Sequence, residues 1–206
     1  MPEPFLPPRS TDHPAVHPSF DTQVLTPRLV MRPARAEDVD VHFEAARESL
    51  LECGRWLSWC VPNMTRDDSE AWVTKCREAW LSGEFFSFYL FNRATDGFVG
   101  CCTINDIDRF RLRANLGYWI RTGSQGVGCA SEAAPAVARF GFERLSLMRL
   151  EIVAGAKNVA SRRVATKIGA TREGLARNRL RVHGVQHDAY VFSLIPGDLP
   201  PLAESQ

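Results

Sequence analysis

A chain of 206 residues, 45% apolar and 24% charged, has the length and balance of one well-buried domain. Its formal net charge of +1 argues against a constitutive nucleic-acid binder. No apolar run approaches the length of a membrane span, and no basic start followed by an apolar block marks a signal peptide, so a cytoplasmic location is expected.

Residues 1–21 hold six of the thirteen prolines, with Ser, Thr and His between them. Such a segment buries too little apolar surface to offset its ordering entropy. A flexible arm is expected there, ahead of a single folded domain over 22–206. Residues 24–32 suit an edge strand interrupted early by Thr26-Pro27. Over 36–51, Val39, Phe43, Ala46 and Leu50 follow a helical stripe, with Glu37 and Asp38 favouring its N-terminal end. Residues 53–62 are aromatic and turn-like. Thr65 can cap a second helix to about Leu81, with Gly83 suited to its stop. Strands follow over 85–92 and 98–107, flanking the hairpin signal Thr95-Asp96-Gly97. A third strand covers 113–121.

A helix is expected over 130–145, where Ala130, Ala134, Val137, Ala138, Gly141 and Leu145 recur at helical spacing. Pro135 falls inside it and predicts a kink or a break into two pieces. Residues 149–154 form a short buried strand. Asn158 can cap a helix through Lys167, ended by Gly169. A last hairpin over 172–182 and 185–195 turns at His183-Gly184. The order is β-α-α-β-β-β-α-β-α-β-β, a mixed α/β (α+β) sheet.

The six cysteines form no C-x-x-C pair and no paired spacing with histidine, so no metal site is expected. Reduced, packed thiols are expected instead, with neighbours Cys101 and Cys102 pointing to opposite faces of their strand.

Chemistry concentrates at Gln125-Gly126-Val127-Gly128-Cys129-Ala130, between the 113–121 strand and the helix after it. Two glycines there let the backbone turn tightly and approach a ligand. The unpaired N–H groups and dipole of the new helix favour an anion, which reads as a pyrophosphate cradle. A Walker loop would need Gly-Lys-Ser/Thr, and a dinucleotide fingerprint a third glycine in place of Ser131; both fail.

Gln125-x-x-Gly128-x-Ala130 resembles the Gln/Arg-x-x-Gly-x-Gly/Ala loop of the GNAT superfamily of acyl-CoA N-acyltransferases. Around it, Leu116-Gly117-Tyr118-Trp119-Ile120, Ala130-Ser131-Glu132-Ala133, Asn158-Val159-Ala160-Ser161, Lys167-Ile168-Gly169-Ala170 and Glu173-Gly174 follow in the expected order. With Leu25-Thr26-Pro27-Arg28-Leu29, they resemble the RimJ/RimL branch, whose best-known members acetylate N-termini of ribosomal proteins. The resemblance covers residues 24–195. It implies a GNAT-type sheet, mostly antiparallel and flanked by helices, with acetyl-CoA as cosubstrate. It places the pyrophosphate on the amides of Gly126, Val127, Gly128, Cys129 and Ala130, and pantetheine beside Ile120 and Arg121, where the sheet splays. Gln125, Asn158 and Ser161 complete the implied cofactor site. Direct attack of an amine on the thioester is implied, without a covalent enzyme intermediate. The acceptor would be a protein or peptide N-terminus, with a small amine as the alternative, and dimers are common in the branch.

A serine in the Ser161 motif is proposed in this branch as the acid for the departing thiolate. If Asn158 caps the helix, Ser161 lies in its first turn, where the dipole eases that charge. The branch's basic glutamate falls at Leu180, which cannot accept a proton. Glu151, Asp106 and Tyr118 are the substitutes, each with a plain alternative: an arginine partner, a turn, a packed hydroxyl. Loss of that base leaves a non-catalytic CoA-binding module as a competing expectation. Trp56, Trp59 and Phe85-Phe86 read as core before they read as an acceptor groove. Arg177, Arg179 and Arg181 alternate along one strand and are expected to share a face.

Overall fold

The computed structural model describes residues 18–200; most of the proline-rich arm lies outside the described residues. The described chain begins docked. Trp80 Nε1 donates to the Pro18 carbonyl (3.0 Å), and Phe20 packs against the core. The expected first strand is two: β1 (Val24–Leu25) and β2 (Leu29–Pro33) pair antiparallel across Thr26-Pro27-Arg28. Proline fixes φ and lacks an N–H, so it reverses the chain here rather than merely interrupting one strand.

The first expected helix is also segmented. A 3₁₀ turn (Ala36–Asp38) leads into α1 (Val39–Glu48), and a break at Ser49 precedes α2 (Leu50–Cys53). The helix α3 (Arg66–Ser82) begins and ends as its sequence requires. Asp68 N–H donates to Thr65 Oγ1 (3.2 Å), Thr65 N–H donates back to the Asp68 carboxylate (2.8 Å), and Gly83 closes the end at φ 72°.

Then come β3 (Phe86–Asn92), β4 (Phe98–Asp108), β5 (Arg113–Ile120), α4 (Cys129–Arg144), β6 (Arg149–Gly155), α5 (Val159–Lys167), β7 (Thr171–Val182) and β8 (Val185–Leu194). The strands form one mixed sheet in the order β1-β2-β3-β4-β5-β6-β8-β7, antiparallel except at β5–β6. Its central strand β3 is buried on both faces, as an interior strand requires. Phe86, Phe88 and Leu90 join a core with α4, while Tyr89 and Phe91 join one with α1 and α3. Cys102 belongs to the first core and Cys101 to the second, on opposite faces as expected.

Of the two outcomes expected at Pro135, a break is ruled out: α4 runs continuously from Cys129 to Arg144. Ala133, Ala134, Val137, Ala138 and Gly141 bury its face against the sheet, and that packing outweighs the lost hydrogen bond. Arg177, Arg179 and Arg181 are all exposed. The β7–β8 register shifts between Ala176 and Leu180, and Asn178 takes φ 52°. The bulge adds two residues to β7, an even number, so the alternation stays in phase on either side of it.

The β5–β6 pair decides where a ligand can enter. Parallel pairing covers only Arg113–Asn115 against Arg149–Glu151, after which β6 continues with β8 alone. Beyond Asn115, then, β5 and β6 diverge.

Candidate active site

Beyond the divergence β5 has a free edge. Arg121 N–H donates to Val99 O (2.9 Å) on β4. Strand groups alternate sides residue by residue, so the N–H and C=O of Ile120 and Tyr118 face the opening toward β6. The Ile120 carbonyl already accepts from Gln125 Nε2 (2.8 Å), which ties the following loop back to the strand.

That loop passes through a short 3₁₀ turn (Thr122–Ser124) and then Gly126 at φ 78° and Gly128 at φ 88°. Both lie in the left-handed region that glycine adopts without strain. Space around Gly126 is open, with nothing within 4 Å of a Cβ built there. Glu132 N–H donates to Gly128 O (3.1 Å) and closes the first turn of α4. The amides of Cys129, Ala130 and Ser131 precede that bond and have no partner within the helix. Cys129 turns its side chain inward, so it offers this edge only its amide.

Two clamps absent from the sequence reading hold the loop. On one side, Glu48 accepts from Arg121 Nε (3.0 Å) and from Gly123 N–H (2.6 Å), while the Ser49 hydroxyl accepts from Thr122 N–H (3.0 Å). The Arg121 guanidinium and then the Gly123 amide hold the Glu48 carboxyl below its ordinary range. Arg121 therefore spends its side chain on Glu48. On the other side, Arg28 donates through Nε to Glu132 (2.6 Å) and through Nη1 to Val127 O (2.8 Å). Lys167 Nζ lies 4.0 Å from the position of a Gly128 Cβ. The partners of this second clamp lie in two runs far apart in sequence, Thr26-Pro27-Arg28 and Ala130-Ser131-Glu132-Ala133, and nothing local to either run signals their contact.

Across the opening, Asn158 caps α5 by accepting Ser161 N–H on its side-chain oxygen (3.0 Å). The Tyr118 hydroxyl, reaching over from β5, donates to Ser161 O (3.0 Å) and lies 3.3 Å from Ser161 Oγ. Burial pushes the Tyr118 phenol up to about 12. It is a neutral hydroxyl at pH 7, a proton donor rather than a general base. Sequence reasoning named both residues but not their contact.

The other carboxylates lie elsewhere. Glu151 accepts from Nε and Nη2 of Arg149 (3.2 Å each), and Arg113 Nη1 lies 3.8 Å away. It is opposite Asn115, three residues before Tyr118, about 10 Å along a strand. Its neighbours Leu150 and Ile152 point into the α4-side core against which Tyr118 packs, so Glu151 faces the other way. Asp106 is exposed in a β4 bulge, at the end of β5 remote from Ile120. Leu180 is half-buried opposite His187.

Aromatic residues wall the α1-side of the opening. Trp59 and Trp119 meet edge-on at 5.3 Å between centroids, and Trp56 packs on Gly155. Both Trp56 and Trp59 are half-buried, whereas Phe86 is fully buried and Phe85 packs on Trp72. The loop carrying the two tryptophans is tied to the β7–β8 hairpin: Ser58 Oγ donates to Arg181 O (3.3 Å), and His183 Nε2 lies 2.6 Å from Gly54 O.

Comparison with known proteins agrees with this geometry. A sequence model of the acetyltransferase (GNAT) domain matches residues 28–171. The chain is 31% identical to the N-acetyltransferase YnaD of Bacillus subtilis over 176 residues, 84% of this chain and 96% of the relative. Among solved structures, a Vibrio cholerae protein assigned as a ribosomal-protein-serine acetyltransferase superposes with a TM-score of 0.77 at 36% identity, covering 86% of this chain and 99% of its own. Mycobacterium smegmatis RimJ, in complex with CoA-disulfide, superposes with a TM-score of 0.69 at 25% identity, covering 84% of each chain. The open β5 edge, the glycine loop at the α4 start and these matches together establish that the chain belongs to the GNAT family of N-acetyltransferases, with RimJ/RimL-like structural neighbours.

Proposed function

We propose that this enzyme transfers acetyl from acetyl-CoA to the α-amine of a protein or peptide. The diphosphate of the cosubstrate would lie on the amides from Gly126 to Ala130, which fit it because they are open and unpaired within the helix. The pantetheine arm would pair with the free edge at Tyr118 and Ile120. Acetyl-CoA supplies the activated thioester carbon, and the acceptor nitrogen attacks it from the side walled by Trp59 and Trp119.

The observation that carries the reading is the Tyr118–Ser161 contact across the divergence of β5 and β6. As the C–S bond breaks, the Ser161 hydroxyl gives its proton to the departing sulfur, the Tyr118 hydroxyl restores it and is itself reprotonated from solvent, and the acceptor nitrogen loses its extra proton to water. Ser161 sits in the first turn of α5, where the dipole favours the developing negative charge.

The acceptor follows from the missing base. With Leu180 at the glutamate position, Glu151 engaged by Arg149 and set about 10 Å along the strand from Tyr118, and Asp106 exposed at the far end of β5, the amine arrives already deprotonated. At pH 7.5 roughly a third of α-amines with pKa about 7.7–8.0 are free, against about a thousandth of lysine-like amines at about 10.4. That favours a chain terminus over a polyamine or a lysine. The assignment of the Vibrio cholerae relative to ribosomal proteins points the same way.

Thiol release from acetyl-CoA tests this against three panels: peptides with a free N-terminus, the same peptides N-terminally blocked but containing lysine, and small amines. Turnover should be confined to the first panel, and Ser161→Ala should lower kcat about 100-fold, the low end for a general acid. Faster turnover of small amines or of blocked peptides would refute the acceptor. An unchanged kcat in Ser161→Ala would remove the acid.

A further inference from the structure

The start of α4 holds a contradiction for an anion site: Glu132 puts a carboxylate in the same turn whose amides should meet a diphosphate. Its two oxygens are fully engaged. Oε1 accepts from Thr26 Oγ1 (2.6 Å) and from the Arg28 main-chain N–H (2.9 Å), and Oε2 accepts from Arg28 Nε (2.6 Å). The same guanidinium draws the Val127 carbonyl to Nη1 (2.8 Å), turning that oxygen away from the cradle. Its Nη2 lies 3.5 Å from the position of a Gly128 Cβ.

From this geometry we infer that Arg28 is the positioning residue that makes the α4 start an anion site, by neutralising Glu132 and turning the Val127 carbonyl aside. The inference rests on the CoA reading and adds to it a residue 100 positions away in sequence from the loop it serves. Arg28 does two things a brace alone would not. It cancels the charge that would repel a diphosphate, and it presents a further N–H donor toward the glycine turn. The side chain of Arg28 is 49% exposed and that of Glu132 only 15%, so the guanidinium stands on the solvent side of the carboxylate, where an incoming anion meets it. Lys167, near the same glycine, adds to the positive rim.

Removing the guanidinium does not release the carboxylate. The Thr26 hydroxyl and the Arg28 main-chain N–H remain to hold it. An Arg28→Met variant therefore keeps a clamped negative charge at the helix start with nothing to cancel it. Neutralising that charge in Arg28→Met/Glu132→Gln keeps the acceptor oxygen and removes the repulsion.

Calorimetry with CoA, and kcat/KM with S-acetylpantetheine as a donor lacking the diphosphate, test this on the full chain, with thermal melts to establish folding. Arg28→Met should weaken CoA binding at least about tenfold, the loss of one charge-assisted contact, while kcat/KM for S-acetylpantetheine stays within twofold. The double variant should recover part of the lost CoA binding, the share carried by the uncancelled charge, and not the share carried by the Val127 contact. Unchanged CoA binding in Arg28→Met overturns the inference. So does a parallel loss with both donors, or a double variant as weak as the single one, because each is what a mere brace would give. A folded parent protein with no affinity for CoA overturns the underlying reading itself.

Discussion

His42 shows how much one side chain can couple this fold to pH. It is 1% exposed between α1 and the sheet, stacked on Tyr89 at 5.8 Å and edge-on to Trp119 at 5.8 Å. Its Nδ1 meets Ser69 Oγ at 3.1 Å, and Nε2 has no hydrogen-bond partner among the described residues. Burial brings its pKa from 6.5 down to about 4, against a smaller opposing pull from Asp38. The unfolded chain therefore takes up the proton first as pH falls. The stability His42 contributes is complete above about 6.5 and is lost progressively toward 4. The loss approaches about 3 kcal/mol. Urea titrations at pH 7 and pH 4.5 should show a steep loss in the parent and one smaller by about 2–3 kcal/mol in His42→Gln. Equal losses in both proteins would mean the imidazole does not stay neutral when buried.

Among the elements, α5 links local sequence to the site most directly. Asn158 both starts the helix and fixes the Ser161 amide, because one side-chain oxygen satisfies a first-turn donor. Asn158→Ala should cost about 1 kcal/mol of stability. It should also lower kcat more than it raises KM for acetyl-CoA, since the loosened turn misplaces Ser161 while the α4 amides are untouched. A loss seen only in KM would place Asn158 in binding. The hairpin β1–β2 shows the reverse dependence. Its turn residues look local in sequence, yet their structural use is to hold the start of α4, far along the chain.

For the whole molecule, the mouth exists because two cores hold the sheet from both faces while β5 and β6 are left to diverge between them. A ligand lying in that gap bridges two halves of the sheet that otherwise meet through only three residue pairs. CoA at about 100 times its Kd should therefore raise stability by about 2.7 kcal/mol. Hydrogen exchange should slow at residues 118–131 and 155–161, on both sides of the gap. Slowing on one side alone would mean the ligand does not span it.

What the sequence determined by itself was written within a few residues: helix caps at Thr65 and Asn158, the glycine turn at 126–128, strand alternation at Cys101 and Cys102, and the hairpin turns at 95–97 and 183–184. Each follows from dihedral preference and side-chain period, which neighbouring residues settle together. The same logic left open what packing settled at Pro135, where the helix continues, and gave no sign of the bulge at Asn178. Which distant groups meet was decided by the tertiary structure alone. Tyr118 reaches Ser161 across 43 residues, Glu48 reaches Arg121 across 73, and Arg28 reaches Glu132 across 104. Those meetings depend on strand register and on the angle at which β5 leaves β6, and no local run of side chains encodes either.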